Sequence, residues 1–172
     1  MTLQQLFDIA RDSYNNLSNY ARSFHDNYLK KIPNYPHTAE ETLGEIDLYI
    51  QALLFGVAAA DGTIEPVEGE FIKKLPDYAS FIPEDQSLNS GSDRNFLKDM
   101  LMMAKKYSDH PPISLVLMLK SINEEHKAEF KEAFYGVFFN IFKAFASIDG
   151  KFDKKEIELA AKLVQPLDDM TK

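Results

Sequence analysis

The chain has 172 residues, of which 45% are hydrophobic and 27% are charged. This composition is typical of a single soluble globular domain and excludes a disordered chain. The net charge of -8 opposes contact with a phosphate backbone, so nucleic acid is not an expected partner. The lack of cysteine excludes disulfides, thiolate zinc sites and a cysteine nucleophile.

The first predicted element is an amphipathic helix within residues 2–30, where apolar side chains recur at spacings of three and four. The pattern allows a break near Asn15-Asn16, and two prolines at 33 and 36 then mark a loop. No basic region precedes an apolar one here, so no signal peptide is predicted and we expect a cytoplasmic protein. We treat residues 1–37 as an N-terminal helical extension and expect it to dock on the domain formed by 38–172, although its Tyr/Phe face could instead meet another molecule.

A second helix is predicted to begin at Thr38, because Thr38 and Glu41 have the spacing of a capping box. It runs to about residue 60 and becomes apolar nearly all round, which is typical of a central helix. Its apolar stretch, 46–60, contains two polar residues and is shorter than a membrane span. No transmembrane segment is therefore predicted, and peripheral membrane association stays open.

Shorter helices are expected further along the chain. One follows Asp61-Gly62 and ends near Leu75, and residues 83–93 form a polar loop. Helices are then predicted at 94–107 and from about Pro111-Pro112 onward. Met100, Met102 and Met103 could form an adaptable binding surface, but the default expectation is that they fill the core.

The clearest helical pattern lies in residues 124–148, where eight apolar residues share one face. Tyr135 and Phe139 fall outside that stripe, so they either contact other helices or mark an interaction surface. We favour a second central helix. A last helix is expected from Lys154 to Leu163, stopping before Pro166. No segment has a strand pattern, so the predicted fold class is all-α, a compact multi-helix bundle.

A motif occurs twice, as AAADGTIEPVEGEF at 58–71 and ASIDGKFDKKEIEL at 146–159. Each copy follows a long apolar helix and precedes a short amphipathic one. A glycine just past a helix can adopt the left-handed conformation that closes the helix end. The two units are therefore predicted to be helix–Asp-Gly turn–helix joints.

An EF-hand interpretation of these turns fails. Placing Asp61 at loop position 5 aligns Gly62 and Glu68 with positions 6 and 12, but positions 1 and 3 become Val57 and Ala59, which supply no ligand. The second copy fails in the same half, so a normal calcium loop is not expected.

The acids of the two turns are the candidate metal-ligating residues. Carboxylates suit a divalent cation such as Ca²⁺, Mg²⁺ or Mn²⁺ if the turns lie side by side. The alternative, which we favour, is that they cap helix N-termini, because capping accounts for their spacing unaided. The six residues are Asp61, Glu65, Glu68, Asp149, Asp153 and Glu156.

The doubled motif, helix, then Ala-x-x-Asp-Gly-x-hydrophobic-acid-x-x-Glu, then helix, resembles the TerB-like family of tellurite-resistance and stress-associated proteins. The resemblance spans roughly residues 39–165 and rests on the two stretches quoted above. It implies a compact helical bundle with internal pseudo-symmetry, no established catalytic activity and divalent-metal binding through acidic residues. The motif positions it carries over are Asp61, Gly62, Glu68, Asp149, Gly150 and Glu156.

The expected function is binding or scaffolding, with proteins as partners and no catalytic residues. One alternative is an acidic metal-dependent enzyme, which would need a His, Lys or Ser beside the same carboxylates in a pocket; Lys151, in the second turn, is the candidate. Another is a degenerate calcium sensor, which requires helices that open when the ion binds.

Overall fold

The computed structural model describes residues 1–60, 63–82, 94–120, 127–148 and 154–171. All regular structure within these ranges is helical, which confirms the predicted all-α class. The helices are α1 (Leu3–Asn27), α2 (Ala39–Ala59), α3 (Pro66–Lys74), α4 (Arg94–Asp109), α5 (Ile113–Lys120), α6 (Lys127–Ala146) and α7 (Lys154–Met170), with a short 3-10 turn at Leu29–Lys31.

Helix α1 is continuous, so the break that the sequence allowed at Asn15-Asn16 does not occur. Both asparagines are exposed, and they lower the stability of the helix only through the weaker helix propensity of asparagine. Tyr14 and Leu17, on either side of them, are buried and keep the apolar stripe in contact with the bundle. Thr2 begins the helix as N-cap, in a capping box with Gln5.

The apolar stripe of α1 packs mainly on α6 and also on α2. Phe7 meets Phe71 of α3 edge to face, with ring centroids 5.4 Å apart. The expected docking of the N-terminal helix on the bundle is therefore confirmed.

Helix α2 lies at the centre of the molecule, in contact with α1, α3, α4 and α7. Thr38 caps it, accepting from Glu41 N at 3.2 Å while Glu41 reaches back to Thr38 N, as the sequence predicts. Of the described helices, α2 alone is long and apolar enough to cross a membrane, but 89% of its most apolar stretch is buried inside the protein. Its hydropathy is that of a core helix.

The contact between α2 and α4 is unusually close at Gly56. A methyl group added there would come within 2.5 Å of the Ala104 Cβ of α4. The lack of a side chain at this position lets the two backbones approach.

Helix α6 contributes large aromatic side chains to the core. Phe138, Phe142 and Phe145 are buried, and Phe145 meets Phe71 edge to face. Tyr135 and Phe139 are half-buried beside α7 and line a groove between α6 and α7, so both options that the sequence left open, a neighbouring helix and an interaction surface, stay compatible with their position.

The prediction for the last helix is wrong. Helix α7 does not stop at Leu163; it continues through Pro166 to Met170. Proline removes one backbone hydrogen bond and crowds the preceding turn. The buried side chains of Val164 and Leu167, on either side of Pro166, hold the helix against the bundle and offset that cost.

Candidate functional site

The acidic turns are described in part. Asp61, Gly62, Asp149, Gly150 and Asp153 lie outside the described residues. The helices on both sides of each turn are present, α2 and α3 for the first and α6 and α7 for the second. Glu65, Glu68 and Glu156 are described, each at the start of the helix that follows its turn.

Glu68 is buried and acts as a helix cap. Its Oε2 accepts a hydrogen bond from the backbone N–H of Glu65 at 2.8 Å, in the first turn of α3. Pro66 occupies the first helical position, where a proline is favoured. The side chain of Ile64 is buried, so the turn is pinned to the core on one side and closed by Glu68 on the other. This geometry is that of the capping interpretation.

Glu65 and Glu156 occupy less enclosed places. Glu65 is exposed and Glu156 is half-buried in the first turn of α7, where a carboxylate favours the positive end of the helix dipole. Across the described ranges, no three His, Asp or Glu side chains lie close enough together to hold a metal ion. The described half of the acidic set is therefore not gathered at one point.

A different polar cluster, which the sequence analysis did not single out as a site, lies on α2. Asp47 and Gln51 are both buried and one helical turn apart. They face residues 75–82, the chain that follows α3, which we call the 75–82 segment. This segment is not helical, so its backbone N–H groups need partners from elsewhere.

Asp47 supplies those partners for three consecutive residues. Its Oδ2 accepts from the backbone N–H groups of Asp77 at 3.2 Å, Tyr78 at 2.7 Å and Ala79 at 3.2 Å. The hydroxyl of Tyr14 donates to Oδ1, and the same hydroxyl accepts from Asp77 N at 3.2 Å. A single buried carboxylate thus ties α1, α2 and the 75–82 segment together.

Burial sets the titration of this pair. It raises the pKa of the Asp47 carboxyl, while the hydrogen bonds from Tyr14 and the backbone oppose that rise. The pKa of the Tyr14 hydroxyl is also raised, first by burial and then by the neighbouring Asp47 charge. Tyr14 is therefore a hydrogen-bond donor at any ordinary pH.

Gln51 holds the second half of the segment. Its Oε1 accepts from Phe81 N at 2.6 Å, and its Nε2 donates to Ser80 Oγ at 2.9 Å and to Ile72 O at 3.3 Å. Both ends of the amide are used, which fixes its orientation.

Two arginines of α1 complete the attachment. Arg11 donates to Leu75 O and to the Asp77 carboxylate, each at 2.5 Å. Arg22 donates to the Tyr78 hydroxyl at 3.1 Å and lies over that ring, 5.7 Å from its centroid. The 75–82 segment is consequently held by side chains from two helices.

A groove of about 450 Å³ runs along the outer side of this segment. It combines basic, acidic, hydroxyl and apolar side chains, and Tyr78 is 40% exposed. Its lining residues are Lys73, Lys74, Pro76, Asp77, Tyr78, Ala79, Ser80 and Ile82. We call it the segment groove. Its lining includes residues 77–79, whose backbone N–H groups Asp47 holds.

A second polar cluster joins α1 to the start of α2. The buried His25 contacts His37 O through Nε2 at 3.1 Å. The ring of His37 lies between two carboxylates, with Nδ1 3.2 Å from Glu41 and Nε2 3.0 Å from Glu45. The two carboxylates lie at opposite edges of the His37 ring, so this cluster bridges helices and does not converge on a ligand.

The sequence contained one signal for the polar cluster on α2. Asp47 and Gln51 interrupt an otherwise apolar helix at a spacing of four, so they share a face of a helix predicted to be central. A buried polar side chain needs hydrogen-bond partners, and that pair could have been assigned a non-helical segment to hold. Which segment it holds depends on the tertiary fold.

No family model matches the chain, and no curated protein or solved structure shows significant similarity to it. The resemblance to TerB-like proteins therefore rests on the two Asp-Gly motifs quoted above.

Proposed function

We propose that this chain is a TerB-like helical protein that binds or scaffolds other proteins in a tellurite-resistance-associated stress response, and that it is not an enzyme. The all-α bundle and the helices on both sides of each Asp-Gly turn are what such a protein requires. The observation that carries the proposal is the segment groove, an open surface on a backbone fixed from beneath.

The fixed backbone favours binding because a partner need not order it. A surface that is already held in its bound conformation avoids the entropy cost of immobilising a loop on association. Hydrogen bonds from Asp47 and Gln51 supply that order to Asp77–Ala79 and Phe81.

The exposed side chains of the groove suit a protein partner. Tyr78 presents an aromatic ring with a hydroxyl, the type of side chain enriched among residues that dominate binding energy. Lys74 and Asp77 line the same groove, Asp77 in an ion pair with Arg11 of α1, so the lining carries charged groups that can orient a partner. A polypeptide with both apolar and charged side chains matches this lining.

The test is affinity purification from the source cells after cross-linking, with wild type, Tyr78→Ala and Tyr28→Ala compared. Tyr28 is also an exposed tyrosine, 61% exposed, but lies outside the groove. We expect a defined protein to be recovered with wild type and Tyr28→Ala and to be lost with Tyr78→Ala. Asp47 holds the backbone of residue 78, so the alanine variant keeps the segment in place. Equal recovery with all three proteins would contradict this use of the groove.

The acidic turns have two proposed roles, caps or divalent-cation ligands. The bond from Glu65 N to Glu68 supports the capping role. Calorimetric titration with Ca²⁺, Mg²⁺ and Mn²⁺, using wild type and an Asp61→Asn/Asp149→Asn variant, separates them. Saturable binding that the variant loses would establish a cation site and reopen the metal-dependent enzyme and calcium-sensor alternatives. No heat from any ion would leave the acids as caps.

A further inference from the structure

The outer face of α4 carries an exposed apolar pair surrounded by lysines. Met102 is 63% exposed and Leu101 is 43% exposed, against the expectation that the methionines here fill the core. The residues one turn from Met102 are Asp99 and three exposed lysines, Lys98, Lys105 and Lys106. We call these residues the α4 ridge.

A groove of complementary character lies between α6 and α7. It measures about 240 Å³ and is lined by Tyr135, Phe139, Ala161, Val164, Gln165 and Asp168. Four of these residues present aromatic or aliphatic surface, and the one charged group in the lining is a carboxylate. We call it the α6–α7 groove.

The ridge and the groove lie on opposite sides of α7. Helix α4 packs on α7 near Leu163, where Ser108 Oγ donates to Leu163 O at 2.6 Å. Ala161 and Asp168, seven residues apart on one face of α7, are each rotated by about 150° from Leu163 at 100° per residue. A molecule therefore cannot place its own ridge in its own groove.

We propose that the α4 ridge of one copy of this chain inserts into the α6–α7 groove of a second copy. Met102 fills the apolar part of the groove, and the lysines beside it meet the Asp168 carboxylate. An apolar anchor in a pocket with opposite charges at its edge is the usual composition of a small protein interface.

The contact is head-to-tail, because each copy inserts its α4 ridge into one neighbour and accepts the ridge of another neighbour in its α6–α7 groove. Such an interface leaves a free ridge at one end and a free groove at the other, so assemblies grow or close into rings. The net charge of -8 opposes association, and that repulsion is screened beyond about 8 Å at about 0.15 M salt. We expect association in the micromolar to millimolar range at that ionic strength.

The test is the mass of the protein in solution as a function of concentration, by sedimentation or light scattering. Wild type should rise above the 19.6 kDa of one chain as concentration increases. Met102→Glu removes the ridge anchor and brings a negative charge toward Asp168, whereas Ala161→Arg fills the groove and repels the lysines. Each variant alone should stay monomeric. Ile113→Glu alters an exposed apolar residue outside both surfaces and should associate as wild type does.

Mixing the two monomeric variants is the decisive step. The Met102→Glu protein keeps its groove and the Ala161→Arg protein keeps its ridge, so an equimolar mixture should form a one-to-one dimer of about twice the monomer mass. A mixture that stays monomeric overturns the proposal, as does a wild type that stays monomeric throughout. Binding of wild type to anionic vesicles, lost in Met102→Glu without any self-association, would assign the ridge to a membrane surface and also overturn it.

Discussion

Asp47 is a buried carboxylate whose oxygens accept three backbone N–H groups and one hydroxyl. In an interior of low dielectric such bonds are strong, and a buried donor left without a partner is costly. The side chain therefore determines where residues 77–79 lie, and through them the shape of the segment groove.

Asp47→Asn should destabilise the protein by about 1–3 kcal/mol. An amide cannot accept all four hydrogen bonds, and its NH2 group would face N–H or O–H groups that are themselves donors. Urea unfolding would measure the loss. Amide hydrogen exchange at residues 77–79 should speed up more than exchange in α6, because local opening of the segment becomes easier. Asp12→Asn, at an exposed position of α1, is the matched control and should change neither quantity. Unchanged exchange at 77–79 in Asp47→Asn would refute this role for the carboxylate.

At the scale of helices, much of the fold was predictable because local chemistry determines it. The Thr38 cap, the central position of α2 and the proline at the start of α3 all follow from nearby residues. The C-terminal end of α7 does not follow from nearby residues. Pro166 favours a helix that ends before it, and the helix continues because Leu167 packs against other helices. The role of Asp47 could not be predicted from its neighbours in sequence either, because its hydrogen-bond partners lie about 30 residues away.

The closest helix contact gives a second prediction. Gly56→Ala should destabilise the protein, because the new methyl would lie 2.5 Å from Ala104 Cβ and force α2 and α4 apart, at a cost of about 1–3 kcal/mol. Gly136→Ala in α6 is the control, since its added methyl meets nothing within 4 Å. It should stabilise the protein by about 0.5–1 kcal/mol through helix propensity. Thermal unfolding of both variants would measure the difference, and shifts of the same sign would contradict the close contact.

At the scale of the whole molecule, three tyrosines that are buried or half-buried make the fold sensitive to alkali. Burial raises the pKa of Tyr135 to about 12. It also raises the pKa of Tyr49, whose hydroxyl has no hydrogen-bond partner among the described residues, and of Tyr14. In the unfolded chain these groups ionise near their ordinary pKa of about 10.

The free energy of unfolding should therefore fall as pH rises from about 10 toward about 12, because the unfolded state releases protons that the folded state retains. Circular dichroism and tyrosinate absorbance, recorded together, should show part of the tyrosinate signal appearing only as helix is lost. Tyr49→Phe should move the alkaline midpoint upward, whereas Tyr28→Phe, at an exposed position, should leave it in place. Full tyrosine ionisation in a protein that is still helical would rule this out.

The packing of α1 on α6 has a consequence for synthesis. The ribosome completes α1 by residue 27, but its main packing partner begins at residue 127, about 100 residues later. At about 5–20 residues per second, the apolar stripe of the nascent helix waits about 5–20 seconds for a partner. During that interval the part of the stripe that α6 covers in the folded protein faces solvent or a chaperone, so α1 is exposed to misassembly while the rest of the chain is made.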